Sequence, residues 1–162
     1  MPFSLEVDGF EKLTQEMQKL PEKAEEVAAL ALYDGAGVMA DAVSRATKGI
    51  ATEPFKYASG GRKRKPSPEE KAIIESAPKG IAKFKKDGVS VRTSVGMQNA
   101  GYADLNGTTK PIPQIANAIN SGTSFMEKQP FLRKAFSQSK KAAEAAIEAG
   151  IHKHEDMLDP SK

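Results

Sequence analysis

PEKAEEVAALALYDGAGVMADAVSRAT, residues 21–47, decides half of the fold. Ala28, Leu32, Ala36, Met39, Val43 and Ala46 recur every three or four residues, which sets them on one stripe of an α-helix and predicts that this stripe faces a core. Pro21 suits the first turn, where its missing N–H has no intrahelical partner. Gly35 and Gly37 interrupt the pattern. Each costs about 1 kcal/mol relative to Ala in a helix interior, so either another backbone comes close there or the helix bends. The other half of the fold is decided by VSVRTSVGM, residues 89–97, where the apolar period switches to two. Val89, Val91, Thr93, Val95 and Met97 share one face of a strand, while Ser90, Arg92 and Ser94 take the other. Ile81 to Lys86 precedes it through a turn at Asp87-Gly88, so the pair reads as a β-hairpin.

Outward from these two segments, Phe3, Leu5 and Val7 alternate as a short strand. Phe10, Leu13, Met17 and Leu20 follow at helical spacing after Asp8-Gly9. A last helix is predicted from Pro130 to Ala149, with Leu132, Phe136, Ala143 and Ile147 on one side and Gly150 as its stop. Asn99 to Pro113 is rich in turn residues, and Ile115 to Ile119 fits a strand or a helix equally well. The fold class that follows is α+β, a long N-terminal helix and a C-terminal helix packed on a small, mostly antiparallel sheet. One domain is expected over residues 1–150, with a polar, mobile tail over 151–162. Residues 48–80 are dense in Pro, Gly and charge and read as a flexible basic insertion. Within it, Ser67 and Pro68 open a short helix.

Charge is unevenly laid out. Residues 1–47 carry four basic and nine acidic side chains, residues 48–92 twelve and five, and residues 93–162 eight and seven, within a net charge of +3. A basic middle of this kind suits a polyanion or an acidic partner surface. The chain has no cysteine, which excludes disulfides, thiolate metal sites and a Cys nucleophile. Met1 to Glu6 has neither a basic nor an apolar leader pattern, so no secretory leader is expected. The longest apolar run, Val27 to Leu32, is short for a membrane span, and no membrane partner is expected.

A search for chemistry finds little. His152 and His154 lack a third ligand, so no metal site is expected. No His accompanies a Ser nucleophile, and Glu25-Glu26 and Glu69-Glu70 fall where helix surfaces carry charge. Neither phosphate-binding glycine pattern is present, so no cofactor is expected. No catalytic residue is assigned, and an enzyme is not expected. The run Arg62-Lys63-Arg64-Lys65 has three readings: contact with a nucleic-acid backbone, the lining of a passage for nucleic acid, or a solvated loop. Phe55 and Tyr57 lie upstream of the run and are not interleaved with it, which argues against stacked single-strand recognition.

One more constellation is GTSFMEKQPFLRKAF, Gly122 to Phe136: a Gly turn, a polar connection and a Pro-initiated helix. Gly122, Thr123, Ser124, Met126, Pro130, Phe131, Leu132 and Arg133, followed by Ala135 and Phe136, resemble the closing signature of the tail-completion, or head–tail joining, family of long-tailed bacteriophages. The opening is similar in style too: Val7-Asp8-Gly9-Phe10, Leu20-Pro21-Glu22-Lys23 and Ser44-Arg45-Ala46. The chain departs from the family in carrying residues 48–80 where a short turn leads into strands. Ile115 to Asn120 stands where a strand usually precedes the Gly-Thr-Ser turn. Asn106-Gly107-Thr108-Thr109-Lys110 is a second match for that turn.

The resemblance implies a structural subunit of the phage neck, present in the virion and in the host cytoplasm during assembly. It implies a ring of identical copies, a hexamer, that binds a head-side connector or head-closure protein and the tail tube protein. DNA would pass through the lumen without sequence-specific binding, and Arg62 to Lys65 would face the lumen or a neighbouring ring. The rival readings are another phage structural protein, for head closure or as a minor tail component, and a small basic nucleic-acid-binding protein.

Overall fold

The computed structural model describes residues 4–5, 24–83, 85–87, 90–97 and 100–158. Helix α1 runs Ala24–Lys48, with Glu25 and Glu26 in its first turn and Arg45 and Lys48 in its last, the arrangement that complements the helix dipole. Its second half buries Ala36, Met39 and Val43, as the stripe predicts. In its first half Ala24, Val27, Ala29, Ala31 and Gly35 are buried, while Ala28 and Leu32 are only half-buried, as is Ala46. A close helix contact is made on this buried side.

The contact is with helix α4, Phe131–His154. A Cβ built on Gly35 would collide with Ile147 Cγ1 and lie 2.7 Å from its Cδ1 and 3.0 Å from the Ala143 carbonyl oxygen. Reciprocally, a Cβ on Gly150 would lie 2.9 Å from Ala31 Cα and 2.9 Å from Asp34 Oδ2. Two glycines, one on each helix, therefore let the backbones approach. Gly150 does not stop α4, as its sequence position suggested. The helix runs on to His154 and passes into a 3₁₀ turn, Glu155–Leu158, where Met157 and Leu158 are half-buried.

Gly37 differs, since a Cβ there meets nothing within 4 Å. Gly37→Ala is expected to raise stability by up to about 1 kcal/mol through helix propensity. Gly150→Ala is expected to lower it by about 1–3 kcal/mol, because the neighbour that must shift is backbone. Thermal unfolding of the two variants measures both, and shifts of the same sign would contradict the packing described.

The chain divides into two compact units. The first comprises residues 1–40, 81–95 and 139–162 and holds the α1–α4 glycine contact. It also holds strands β1, Ser4–Leu5, β3, Lys85–Asp87, and most of β4, Ser90–Gly96. β1 pairs antiparallel with β4 through Ser4 opposite Ser94, and β3 pairs antiparallel with β4 through Asp87 opposite Ser90. That register leaves residues 88 and 89 between the strands and outside the described residues.

The predicted strand Ile81 to Lys86 is broken into β2, Gly80–Ile81, and β3. Between them Ala82 still donates its N–H to the Ser94 carbonyl at 2.8 Å and accepts from Thr93 Oγ1 at 2.6 Å. The sheet order is β1-β4-β2, with β3 also on β4. Thr93, Val95 and Met97 are buried and Arg92 is exposed, the alternation read from the sequence. The predicted helix over Phe10 to Leu20, and the side chains of Val89 and Val91, lie outside the described residues.

The second unit comprises residues 41–80 and 96–138. Helix α2, Pro68–Ser76, starts at Ser67, whose side chain accepts from the Glu70 N–H while Glu70 accepts from the Ser67 N–H. This reciprocal cap satisfies two orphan donors. Strands β5, Tyr102–Leu105, and β6, Thr108–Pro111, form an antiparallel hairpin. Asn106 and Gly107 make its two-residue turn with φ of 51° and 75°, the positive values that a primed turn requires. Asn106-Gly107 is thereby a hairpin tip. Helix α3, Ile112–Ser121, buries Ile112, Ile115, Ala116 and Ile119 and packs against α2 and β6. The segment that the resemblance expects as a strand, Ile115 to Asn120, is therefore helical: its buried residues recur every three or four positions, which a strand would scatter to both faces. The fold is α+β.

Candidate functional site

Two motifs singled out in the sequence meet within the second unit. After the exposed turn in which the Arg62 N–H donates to the Ser59 carbonyl, the basic run lies alongside residues 125–127. Arg64 N–H donates to the Phe125 carbonyl at 2.8 Å, and Glu127 N–H donates to the Arg64 carbonyl at 2.8 Å, an isolated parallel bridge between Arg64 and Met126.

The Arg64 guanidinium turns inward. Its two terminal nitrogens each donate at 2.7 Å to one oxygen of Glu70, and one also reaches the Lys65 carbonyl at 3.1 Å. Glu70 is 3% exposed. Burial pushes its carboxyl up, but the Arg64 hydrogen bonds and the Ser67 N–H outweigh this and hold it below its ordinary value. The same Glu70 hydrogen bonds raise Arg64, against its partial burial. Glu69-Glu70 is thus not a pair of surface charges: Glu69 is exposed and Glu70 is an internal cap and ion partner.

The rest of the insertion is tied down in the same way. Lys65 N–H donates to Glu53 Oε1 at 2.7 Å, and Glu53 N–H to the Pro66 carbonyl at 3.0 Å. The Lys65 N–H, then the Lys56 ammonium at 3.1 Å, hold the Glu53 carboxyl below its ordinary value. Gln129 accepts from the Ala51 N–H and donates to the Ala51 carbonyl, both at 2.8 Å. Where sequence reading expects a flexible insertion over 48–80, the structure gives specific bonds at residues 51, 53, 64, 65, 67 and 70. Their signals were single polar side chains, of which only the Ser67-x-x-Glu70 capping pattern is readable locally.

The Gly122–Phe136 segment is built from its own residues upward. Gly122 ends α3 at φ 75°, with no room for a Cβ beside Lys128, whose Cβ and backbone would lie 3.0–3.1 Å away. Thr123 Oγ1 accepts from the Phe125 and Met126 N–H groups at 3.2 and 3.0 Å, closing a tight polar turn. Met126, Phe131 and Leu132 are buried, and Pro130 is half-buried. Asn120, itself buried, accepts from the Leu132 N–H at 3.1 Å and so covers an open donor at the start of α4. Ser124 and Arg133 are exposed.

Most of the signature residues therefore hold the turn and the helix entry, and Ser124 and Arg133 are the two that face outward. Of the basic run, Arg62 and Lys63 are exposed, Lys65 is half-buried, and Arg64 is committed to Glu70. The four are not equivalent as contacts for a polyanion. Among the described residues no three His, Asp or Glu side chains gather as metal ligands. His152 instead pairs with Glu155 at 2.6 Å on the surface. Comparison of the chain with family models, characterised proteins and solved structures gives no match.

Proposed function

We propose that this chain is a structural subunit of a bacteriophage neck, forming a ring that joins the DNA-filled head connector to the tail tube. The observation that carries the reading is the Gly122–Phe136 segment, whose residues resemble the closing motif of tail-completion proteins. Supporting it is the physical sense of that motif in this chain. Gly122, Thr123, Met126, Phe131 and Leu132 make a rigid turn-to-helix junction, and Ser124 and Arg133 stand outside it, where a neighbouring subunit or ring would meet them. Copies of the chain would contact the head-side connector and the tail tube, and DNA would pass without sequence-specific binding. Arg62 and Lys63, the exposed members of the basic run, would face the lumen or a neighbouring ring.

α1 is long and apolar enough to cross a membrane by length and composition alone. Its Ala31 and Gly35 are instead occupied by α4, and the reading needs no membrane. The subunit performs no reaction on this account. It acts by presenting two surfaces at fixed geometry. Deletion of its gene should leave heads full of DNA and tail tubes polymerised but unjoined, as seen by electron microscopy of the lysate. Empty heads, or normal virions, would overturn the assignment.

A further inference from the structure

We infer that the exposed surface around the Arg64–Met126 bridge binds single-stranded nucleic acid by stacking bases on Tyr57 and Phe125, with Arg62 and Lys63 neutralising phosphates. The sequence places the aromatics and the basic run apart, but the fold brings them together. Residues 62–65 form the middle of three adjacent segments. On one side the turn at Gly60-Gly61 returns the chain, so that Arg62 bridges Ser59, two residues beyond Tyr57. On the other, the parallel bridge sets Arg64 beside Met126 and therefore Lys63 beside Phe125. In such a ladder alternate residues face opposite ways. Arg64 and Met126 face inward, and Lys63 and Phe125 face out.

Aromatic groups thus flank the cations on both sides. Tyr57 is 85% exposed, Phe125 65% and Phe55 41%, three of the four large hydrophobic side chains that stand exposed among the described residues, Tyr102 being the fourth. Phe55 is fixed from both sides. The Arg64 guanidinium sits 5.1 Å from its centroid, and the Tyr57 ring packs edge-on at 5.3 Å. Phe55, and Tyr57 against it, are therefore held by the same residue that pairs with Glu70. Cations that track a backbone beside rings open to stacking are the chemistry that recognises single strands whatever their sequence. An acidic peptide would use the cations and leave the rings without purpose.

The inference stands apart from the neck reading, and its failure would leave that reading untouched. Fluorescence anisotropy of a labelled oligothymidylate of ~16 nucleotides, titrated with the full chain at low salt, tests it. Saturable binding is expected. Tyr57→Ala and Phe125→Ala should each weaken it about fivefold to a hundredfold, while circular dichroism stays unchanged because both rings are exposed. Arg62→Glu with Lys63→Glu should also weaken it and flatten the dependence of log affinity on log salt. No binding at low salt would overturn the inference. So would aromatic variants that bind like the parent, or displacement by polyglutamate as effective as by oligonucleotide of equal charge.

Discussion

Arg64→Ala is expected to destabilise the protein by about 3–5 kcal/mol, whereas Arg62→Ala and Lys63→Ala change stability by less than about 0.5 kcal/mol. The three residues are neighbours in one basic run, and a sequence view treats them alike. The difference comes from Glu70, which the Arg64→Ala change leaves as a buried carboxylate without its bidentate partner. The Phe55 ring loses its cation at the same time. Glu70→Gln should cost less, since the amide oxygen still accepts from Arg64 or from the Ser67 N–H.

The ion pair also sets a pH dependence. The Glu70 carboxyl titrates below its ordinary value in the folded chain, so the folded state binds its proton less readily than the unfolded state does. Its contribution is therefore fully present above the unfolded carboxylate range and is lost as pH falls below about 4.5. Denaturant unfolding from pH 7 to pH 3 should show a steeper acid loss in the parent than in Glu70→Gln. Equal slopes, or an Arg64→Ala variant as stable as Arg62→Ala, would show that the pair does not hold this unit.

Phe131→Ala should cost about 3–5 kcal/mol. The ring is 5% exposed and sits at the first position of α4, two residues beyond Gln129, whose side chain bonds Ala51 and whose N–H donates to the Ile119 carbonyl near the α3 end. Truncation leaves a cavity at the start of α4, beside the Leu132 N–H that Asn120 of α3 covers. The loss should appear as a fall in melting temperature of roughly 6–20 °C for a chain of this size. Arg133→Ala, two residues on and exposed, should melt like the parent. A Phe131→Ala variant that also melted like the parent would mean that the ring lies at the surface and serves an interface.

The parts of the fold that were legible in the sequence are those with a local period. The α1 stripe, the Thr93–Met97 alternation and the Pro-initiated last helix all rest on neighbours three, four or two residues apart. The two glycine contacts were half legible. Gly35 reads locally as a close approach or a bend, but nothing local says that Gly150, over a hundred residues away, is its counterpart instead of a helix stop. The β5–β6 hairpin is not legible although Asn106-Gly107 is a strong turn signal, because Tyr102 to Leu105 lacks an apolar alternation of any length. The candidate site was least legible. Arg64, Glu53, Glu70 and Gln129 owe their positions to partners that are distant in sequence or hidden in a charged run, and a run of four cations gives no sign that one of them points inward.

The central claim is that the chain acts late, as a preformed joining piece, and it is tested most directly by adding purified protein to a lysate of the deletion phage. The account predicts that full heads and free tails in that lysate combine and that infectivity rises with the protein added. Arg64→Ala, expected to destabilise the unit that holds the junction, should restore less than Arg62→Ala when both are supplied at equal concentration. A lysate that holds full heads and finished tails yet gains no infectivity from folded protein would contradict the account.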